Sequence, residues 1–233
     1  MIKRIASVSF GKDSLAMLLL IIEKNLPLNE VVFYDTGMEF QAIYEIRDKV
    51  VKLLQEKNIK YTELKPKNSF EWTMFERPVN GKNGFHYGYS WCGGRCRWGT
   101  TEKLTSINRH CKNSKQYVGI AFDEPKRIER AVESGKLLPL VDYKMTEQDC
   151  LDYCRERGFD WLENDVNLYD ILDRVSCWCC ANKNLKELKN YKKYLPKYWE
   201  KLKDLQRKTN RPFKGDKTIF DLDEKFSEVK DEI

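Results

Sequence analysis

The sequence predicts an α/β protein with a doubly wound, five-stranded parallel sheet. The first observation is the order of patterns over residues 1–64, where three short β-prone runs alternate with two helical segments. Parallel strands need helical crossovers, so this alternation is typical of a parallel sheet. The second observation is a glycine-containing turn between the first strand and the first helix, where open α/β sheets place ligands. A chain of 233 residues can also bury a full core.

The amino-terminal elements follow from local signals. The first strand is expected to reach residue 9, and Gly11 is expected to let the backbone turn sharply. Asp13 or Ser14 should cap the first helix, which the apolar run at 15–22 continues. The spacing of apolar residues then predicts a strand at 30–34, a helix at 40–57 and a strand at 59–64.

The remaining elements follow an irregular, cysteine-containing insertion at about residues 66–97, which is rich in glycine, asparagine and aromatic residues. After it we expect a helix at 98–110, a strand at 116–120, a helix starting near Lys126, a final strand at 137–141 and a helix from Thr146 to Gly158. A short helix at 168–174 then precedes two helices that Pro196 separates.

Cysteine usage and charge limit the class of protein. Eight cysteines, two histidines and the lack of a cleavable leader favour a reducing cytosol, where clustered cysteines bind metal or do redox chemistry. The apolar run at 15–22 is too short to span a bilayer, so we expect a soluble, cytoplasmic protein with no membrane partner. The net charge is +6, and residues 183–217 hold thirteen Lys or Arg against four acidic residues, which suggests an anionic partner.

A phosphate-binding turn is predicted at residues 9–14, which read Ser-Phe-Gly-Lys-Asp-Ser. The free N–H groups at the start of the next helix, the helix dipole and Lys12 together suit an anion such as phosphate. The Walker pattern is excluded because Ala6 occupies the position of its first glycine, and the dinucleotide fingerprint is excluded because Gly11 stands alone. The alternative is an ordinary βα turn, which the six-residue match at the first strand makes the weaker interpretation.

The turn resembles the pyrophosphate loop of the ATP pyrophosphatases and of the phosphoadenylylsulfate (PAPS) reductases, although that family usually has glycine where this chain has Phe10. Three further stretches are similar to elements of the PAPS-reductase-like proteins: Asp-Thr-Gly-Met-Glu-Phe at 35–40, Gly-Ile-Ala-Phe-Asp-Glu at 119–124 and Arg-Val-Ser-Cys-Trp-Cys-Cys at 174–180. The resemblance covers roughly residues 4–200 in the family's order. It implies an adenine-nucleotide α-hydrolase-like fold with a five-stranded parallel sheet, as a nucleotide-binding domain at 1–180 and a basic helical extension at 181–233.

Carried over position by position, the resemblance implies a site for ATP or PAPS. The phosphates would be held by the residues of the loop, which are Ser9, Phe10, Gly11, Lys12, Asp13 and Ser14. Asp35, Thr36 and Gly37 would border the nucleotide, and Asp123, Arg127 and Arg130 would reach the phosphates or the second substrate. The expected catalytic residues are Lys12, Asp13 and Asp123, with Mg²⁺ held near Asp13.

The family contains two chemistries. Its ATP pyrophosphatases cleave between the α and β phosphates and leave an AMP-activated oxygen on an acceptor, which a sulfur or nitrogen nucleophile displaces. We expect a sulfur transferase of this type, similar to the enzymes of tRNA thiolation and DNA phosphorothioation, with tRNA or DNA as acceptor and a sulfur donor protein as a further partner.

Two alternatives remain open. A PAPS or adenylylsulfate reductase attacks its substrate with a thiolate in a C-terminal Glu-Cys-Gly-x-His tail, and no cysteine follows Cys180 in this sequence. A regulatory subunit would bind nucleotide without turnover, and the intact Lys12, Asp13 and Ser14 argue against it.

Two cysteine groups are predicted to bind a metal. Eighty residues separate Cys92 and Cys96 from the second group at 177–180, a spacing similar to that of sulfonucleotide reductases with a [4Fe-4S] cluster. Four thiolates suit either Zn²⁺ or an iron–sulfur cluster. The expected ligands are Cys92, Cys96, Cys177 and Cys180, with Cys179 as the rival for the last place. Packed or free thiols are expected at Cys111, Cys150 and Cys154, and structural or exposed roles at His86 and His110.

The sequence of the two expected C-terminal helices predicts a basic surface. Leu185, Leu188 and Tyr191 recur at helical spacing, as do Trp199 and Leu202, and we expect them to pack inward. The basic residues expected to face water are Lys186, Lys189, Lys193, Lys197, Lys201, Lys203, Arg207 and Lys208. This surface either aligns a phosphate backbone or only keeps the protein soluble, and composition does not separate the two.

Overall fold

The computed structural model describes residues 2–82, 84–91 and 96–228. The chain forms two compact units, each composed of several segments. The first unit contains Met1–Asp35, Gln41–Lys65 and Leu104–Trp161, and the second contains Thr36–Phe40, Pro66–Lys103 and Leu162–Ile233. The domain boundary expected at residue 180 lies inside the second unit.

The strands of the described residues are β1 (Arg4–Ser7), β2 (Glu30–Tyr34), β3 (Lys60–Leu64), β4 (Pro78–Gly81), β5 (Gly84–Tyr87), β6 (Lys115–Val118), β7 (Leu162–Glu163) and β8 (Val166–Asn167). The α-helices are α1 (Lys12–Glu23), α2 (Gln41–Glu56), α3 (Lys103–His110), α4 (Pro125–Glu133), α5 (Pro139–Asp142), α6 (Glu147–Arg155), α7 (Leu168–Ile171), α8 (Leu185–Tyr194), α9 (Pro196–Gln206) and α10 (Ile219–Glu228). Trp72–Glu76 and Arg97–Glu102 are π-helical segments.

The main sheet lies in the first unit and has four parallel strands in the order β3-β2-β1-β6. β2 is buried along its whole length, as expected for a parallel strand with both faces covered. The apolar face of α1 supplies much of the core, including the fully buried Leu15, Met17 and Leu18. The α/β class and the β-α-β-α-β order predicted for residues 1–64 are confirmed.

The fifth strand predicted at residues 137–141 is wrong. Leu137 makes a single parallel bridge to β6, in which its N–H donates to Gln116 O at 2.8 Å and its O accepts from Val118 N at 3.1 Å. Pro139 has no N–H with which to continue the ladder, and it occupies the first turn of α5 instead. The sheet therefore has four strands, extended at the β6 edge by one residue.

The insertion expected to be irregular contains defined structure in the second unit. β4 and β5 pair as an antiparallel hairpin, and the π-helical segment Trp72–Glu76 precedes them. Gly88 follows the hairpin with a φ of +66°, and a Cβ at this position would overlap the backbone of Met74 and Phe75. Only glycine fits this approach, so the base of the hairpin is held against the π-helical segment.

The C-terminal helices of the second unit surround an aromatic centre. Phe40 packs edge to face on Tyr191 and Tyr198, with ring centroids 5.8 and 4.9 Å apart. The predicted separation of α8 from α9 at Pro196 is confirmed. None of the helices in the described part of the chain combines the length and the apolar character that crossing a bilayer requires.

Two expectations for these helices are wrong. Leu185 is 43% exposed, because as the first residue of α8 it lies at the end of the buried stripe and not within it. Lys203 does not face water freely, because its Nζ binds Asp223 of α10 at 2.8 Å and Glu200 at 3.0 Å.

Candidate functional site

The loop after β1 carries the predicted phosphate-binding residues. Its turn is made by Phe10, whose φ of +60° lies in the left-handed region, whereas Gly11 is extended at φ −78° and ψ 166°. The Phe10 ring is fully buried and packs edge to face on Phe33, with centroids 5.0 Å apart. Phe10 O accepts a hydrogen bond from Trp161 Nε1 at 2.7 Å. The expectation that Gly11 makes the turn is therefore wrong, and a buried aromatic residue makes it.

The first helix starts two or three residues earlier than expected. α1 begins at Lys12 with Gly11 as its N-cap, so the capping role expected of Asp13 or Ser14 is wrong. Ser14 Oγ instead donates to Gly11 O and accepts from Ser9 N, both at 3.1 Å, which closes the loop from inside. Because a glycine cap has no side chain to accept from the first-turn N–H groups, this helix start suits an anion.

Lys12 is buried and lies between two carboxylates. Its Nζ is 3.0 Å from Asp13 Oδ1 and 2.8 Å from Glu147 Oε2, and it donates to Glu147 O at 3.1 Å. Burial lowers the pKa of Lys12, but the hydrogen bonds and charges of Glu147 and Asp13 outweigh burial and raise the pKa overall. Lys12 is therefore an ammonium cation at neutral pH.

Asp13 has the opposite balance of effects. Burial raises its pKa most strongly, the neighbouring Lys12 ammonium lowers it, and the charges of Glu147 and Glu124 raise it again, so that the net shift is upward. Several carboxylates therefore share one site with a buried lysine. Such a site suits a ligand that brings both anionic phosphate and a divalent cation.

The loop after β6 reaches the start of α1. Gly119 lies so close to the helix that a Cβ would be 2.7 Å from Ser14 Cα and 2.8 Å from Asp13 O. A larger residue would push the loop away from the helix, so the glycine of this stretch is required by packing.

The start of α6 completes the site. Thr146 caps α6 in a capping box with Asp149, at the start of the helix predicted from Thr146. Asp123 Oδ1 accepts from the N–H of Glu147 at 3.0 Å, so Asp123 is connected to Lys12 through Glu147. Glu147 was not among the predicted site residues, because a capping signal marks where a helix starts and not which distant cation its first residue contacts.

The residues after β2 are divided between the units. In the first unit, Asp35 Oδ1 accepts from Tyr44 OH at 2.8 Å, and Asp35 Oδ2 lies 3.8 Å from Lys65 Nζ. In the second unit, Thr36 Oγ1 donates to Glu39 Oε1 at 2.9 Å. Gly37 has a φ of +72°, a conformation that favours glycine. A nucleotide contact by Asp35, Thr36 and Gly37 stays a prediction.

The two predicted arginines lie on α4. Arg127 Nη1 donates to both carboxylate oxygens of Glu124, at 2.6 and 2.5 Å. Arg130 Nε donates to Lys126 O at 2.9 Å. Arg127 is therefore already charge-paired, and contacts from either arginine to phosphate stay predictions.

Cysteines of the second unit converge around Gly99. Cys96 Sγ accepts from Gly99 N at 3.0 Å, and a Cβ on Gly99 would lie 3.6 Å from Cys177 Sγ. Burial raises the pKa of the Cys179 thiol, and the charges of Cys177, Cys180 and Cys96 raise it further. Thiolates that repel one another in this way are stabilised by a bound metal cation.

The metal ligand set expected from the sequence is only partly visible. Cys92 lies outside the described residues, and among the residues that are described no group of three His, Cys, Asp or Glu side chains is arranged to hold a metal by itself. The soft thiol donors at Cys96, Cys177 and Cys180 suit Zn²⁺ or an iron–sulfur cluster, and the ligand set stays a prediction. Buried, unbridged thiols are found, as expected, at Cys111, Cys150 and Cys154.

Comparison with known proteins gives a family match over most of the chain. The phosphoadenosine phosphosulfate reductase domain matches residues 3–182. Two curated relatives are uncharacterized proteins of Methanocaldococcus jannaschii. One is 27% identical over 225 residues, covering 88% of this chain, and the other is 29% identical over 167 residues, covering 72%. The chain spans only 42% and 32% of their respective lengths.

A solved structure also resembles the chain. It is the U34-tRNA thiolase NcsA from Methanococcus maripaludis with its [4Fe-4S] cluster, and it is 16% identical with a TM-score of 0.45. The match covers 100% of this chain and 73% of the thiolase. At this score the likeness assigns neither a fold nor a function to the chain.

Proposed function

Because the chain belongs to the family of the phosphoadenosine phosphosulfate reductase domain, we propose that it is a sulfur transferase of the ATP pyrophosphatase type. It would adenylylate an acceptor, with nucleic acid as the favoured class, and so prepare the acceptor for thiolation. The observation that carries the proposal is the position of Lys12 at the start of α1, between the carboxylates of Asp13 and Glu147.

The charges of this site suit a triphosphate. The N–H groups of the first turn of α1 and the Lys12 ammonium would neutralise negative charge on the phosphates. Asp13 and Glu147 would hold Mg²⁺, since magnesium binds nucleotides through one or two carboxylates. When bound, Mg²⁺ supplies further neutralisation of the charge that develops on the leaving pyrophosphate.

The reaction divides into two displacements. An oxygen of the acceptor attacks the α phosphorus, the bond between the α phosphorus and its bridging oxygen breaks, and pyrophosphate leaves. A sulfur nucleophile then attacks the activated atom of the acceptor, and AMP departs with the acceptor's oxygen. Lys12 would stay in contact with the leaving phosphates, and Asp123 would hold Glu147 in place through its backbone N–H.

The described thiols of the first unit support adenylylation over sulfonucleotide reduction. A reductase needs an accessible thiolate that attacks the sulfur of its substrate. Cys150 and Cys154 are fully buried against α1, and burial raises their pKa values. Cys96, Cys177 and Cys180 of the second unit would instead hold a metal or an iron–sulfur cluster, whose thiolate chemistry would serve structure or sulfur delivery.

The test is an analysis of products. The full chain is incubated with Mg²⁺ and ATP labelled at the α or the γ phosphate, with total tRNA or DNA as acceptor. We expect AMP and pyrophosphate, and Asp13→Asn should abolish their release. Asp152→Asn is the matched control, because Asp152 lies on the exposed side of α6.

Two outcomes would contradict the proposal. ADP and inorganic phosphate as primary products would show cleavage at the other phosphate bond. Release of sulfite from PAPS in the presence of a thiol reductant, without any use of ATP, would assign the chain to sulfonucleotide reduction.

A further inference from the structure

The hairpin formed by β4 and β5 has one solvent-facing side. Side chains alternate along a strand, and directly opposite residues share a face. Asn80 pairs with Phe85, and Pro78 pairs with Tyr87, and all four side chains are exposed. The other face carries Val79 and His86, which are both partly buried. The hairpin therefore presents two aromatic rings, an amide and a proline on a single outer face.

The two rings are unusually open to solvent. Phe85 is 60% exposed and Tyr87 is 61% exposed, more than any other Phe, Tyr or Trp among the described residues. Their ring centroids lie 5.1 Å apart at an interplanar angle of 83°, so the rings meet edge to face. This contact fixes the rings while leaving most of their surface uncovered. Exposed aromatic groups placed side by side mark a binding surface more often than an accident of folding.

Backbone hydrogen bonds connect the base of the hairpin to the preceding π-helical segment. Gly88 N donates to Arg77 O at 2.7 Å, and Ser90 N donates to Met74 O at 2.7 Å. The close approach of Gly88 to Met74 leaves no space for a side chain at position 88. A binding surface that is already ordered before the ligand arrives loses less conformational entropy on binding.

Several cationic side chains lie near the hairpin. Residues 77–101 contain four Lys or Arg, and Glu76 and Glu102 flank this stretch. The guanidinium groups of Arg77 and Arg97 lie over the Tyr89 ring, at 5.3 and 4.7 Å from its centroid. A third guanidinium group, that of Arg211, donates to Tyr87 O at 3.3 Å. The aromatic face is therefore bordered by positive charge.

We infer that this outer face binds unstacked bases of a single-stranded nucleic acid. Aromatic rings stack on bases of any sequence, cationic side chains bind the adjoining phosphates, and an amide such as that of Asn80 can bond to a base edge. A protein partner would need carboxylates to match these cations, whereas nucleic acid carries its own negative charge. This inference deepens the proposed function, on which it rests for the choice of nucleic acid as acceptor, by assigning a surface that holds it.

The test is a binding measurement without nucleotide. Fluorescence anisotropy of a labelled single-stranded RNA of roughly 12 nucleotides would be followed with the full chain and its variants. Phe85→Ala and Tyr87→Ala should each weaken binding about five- to 100-fold, and Phe85→Tyr should retain it. Phe220→Ala is the matched control, because Phe220 of α10 is an exposed ring on another element of the same unit. Thermal unfolding of each variant confirms that the fold is kept.

Three results would overturn the inference. The first is unchanged affinity for RNA in both alanine variants. The second is equal affinity of the wild type for the duplex form of the same RNA. The third is a wild type that does not bind RNA and forms a dimer, which the double variant Phe85→Ala/Tyr87→Ala converts to a monomer. Pyrophosphate release is measured in parallel to separate this inference from the proposed function. Release that occurs while Phe85→Ala binds RNA normally defeats only the inference, and RNA binding that depends on Phe85 without any pyrophosphate release defeats only the proposed function.

Discussion

Lys12 Nζ lies 2.8 Å from Glu147 Oε2, although 135 positions separate the two residues in the sequence. The contact joins the first turn of α1 to the first residue of α6, inside the first unit. A carboxylate that neutralises this lysine must compete with any phosphate that approaches it.

Replacing Glu147 should therefore strengthen the binding of a bare phosphate ligand. Glu147→Gln removes one negative charge beside Lys12 but keeps the size of the side chain. We expect a severalfold lower dissociation constant for inorganic pyrophosphate in the absence of Mg²⁺, measured by titration calorimetry. Glu156→Gln should have no effect, because the Glu156 side chain is 74% exposed at the far end of α6. Weaker binding by Glu147→Gln would show that Glu147 supports the anion site.

The ionised Asp13 carboxylate should lower the free energy of unfolding at neutral pH. Its pKa is raised above the ordinary value of 3.8, chiefly by burial, so the folded state binds the proton more tightly than the unfolded state. The stabilisation of the folded state by the tighter proton binding at Asp13 is fully present below pH 3.8, and it is lost as the pH rises through the raised pKa. Asp13→Asn should therefore raise the melting temperature at neutral pH, and the gain should shrink on acidification.

Scanning calorimetry across this pH range checks the prediction, with Asp152→Asn as the exposed control. A lower melting temperature for Asp13→Asn at neutral pH would mean that the ion pair with Lys12 outweighs burial.

Glycine should be a poor substitute for Phe10, although the family usually has glycine there. Phe10→Gly relieves left-handed strain of about 1–2 kcal/mol but removes a fully buried ring, a loss of about 3–5 kcal/mol. We expect the free energy of unfolding to fall by about 1–4 kcal/mol in denaturant titrations. Asn113→Gly is the control, because Asn113 has a φ of +64° and an exposed side chain, and its effect should stay within about 1 kcal/mol. Equal losses in both variants would remove the role assigned to the Phe10 ring.

The cysteine groups should hold either about four iron atoms or about one zinc ion per chain after anaerobic purification. Cys177→Ser should lose the metal and lower the stability, since metal binding is coupled to folding. Comparison of Cys179→Ser with Cys180→Ser should identify the fourth ligand. Elemental analysis is the measurement, and Cys111→Ser of the first unit is the control. Wild-type protein with no metal and freely titrating thiols would refute the assignment.

Exposed lysines of α8 and α9 should contribute to nucleic-acid binding through counterion release. Lys193→Glu and Lys197→Glu remove two such charges. For every phosphate that a variant no longer neutralises, the slope of log K against log salt should flatten by about 0.7–0.9. Lys52→Glu, on the exposed side of α2, is the control in a salt titration of tRNA or DNA binding. An unchanged slope would leave these lysines with a role in solubility only.

Local signals predicted much of the fold. The strand at residues 30–34 and the start of a helix at Thr146 were predicted correctly, because each depends on neighbouring residues alone. The fifth strand was wrong because an apolar run outweighed Pro139 in the interpretation, whereas the lost N–H decides the structure. The left-handed backbone conformation of Phe10 could not be predicted from the sequence, since it depends on the packing of the Phe10 ring against β2.

The candidate site was predicted in part. Lys12, Asp13 and Asp123 were selected from motifs, and the structure brings them together in the first unit. Glu147 could not be selected in this way, because the contact that gives it significance joins residues far apart in the chain.

The single-residue bridge at Leu137 also covers part of one edge of the sheet. The exposed edge of a sheet offers unpaired N–H and C=O groups to any passing strand, and this is a common route to aggregation. Leu137 occupies two such groups of β6, at Gln116 O and Val118 N. Pro139 then turns the chain into α5, so the segment after Leu138 does not continue along this edge as a strand. The bridge between Tyr117 and Leu137, although too short to be a strand, therefore keeps these two backbone groups from pairing with another strand.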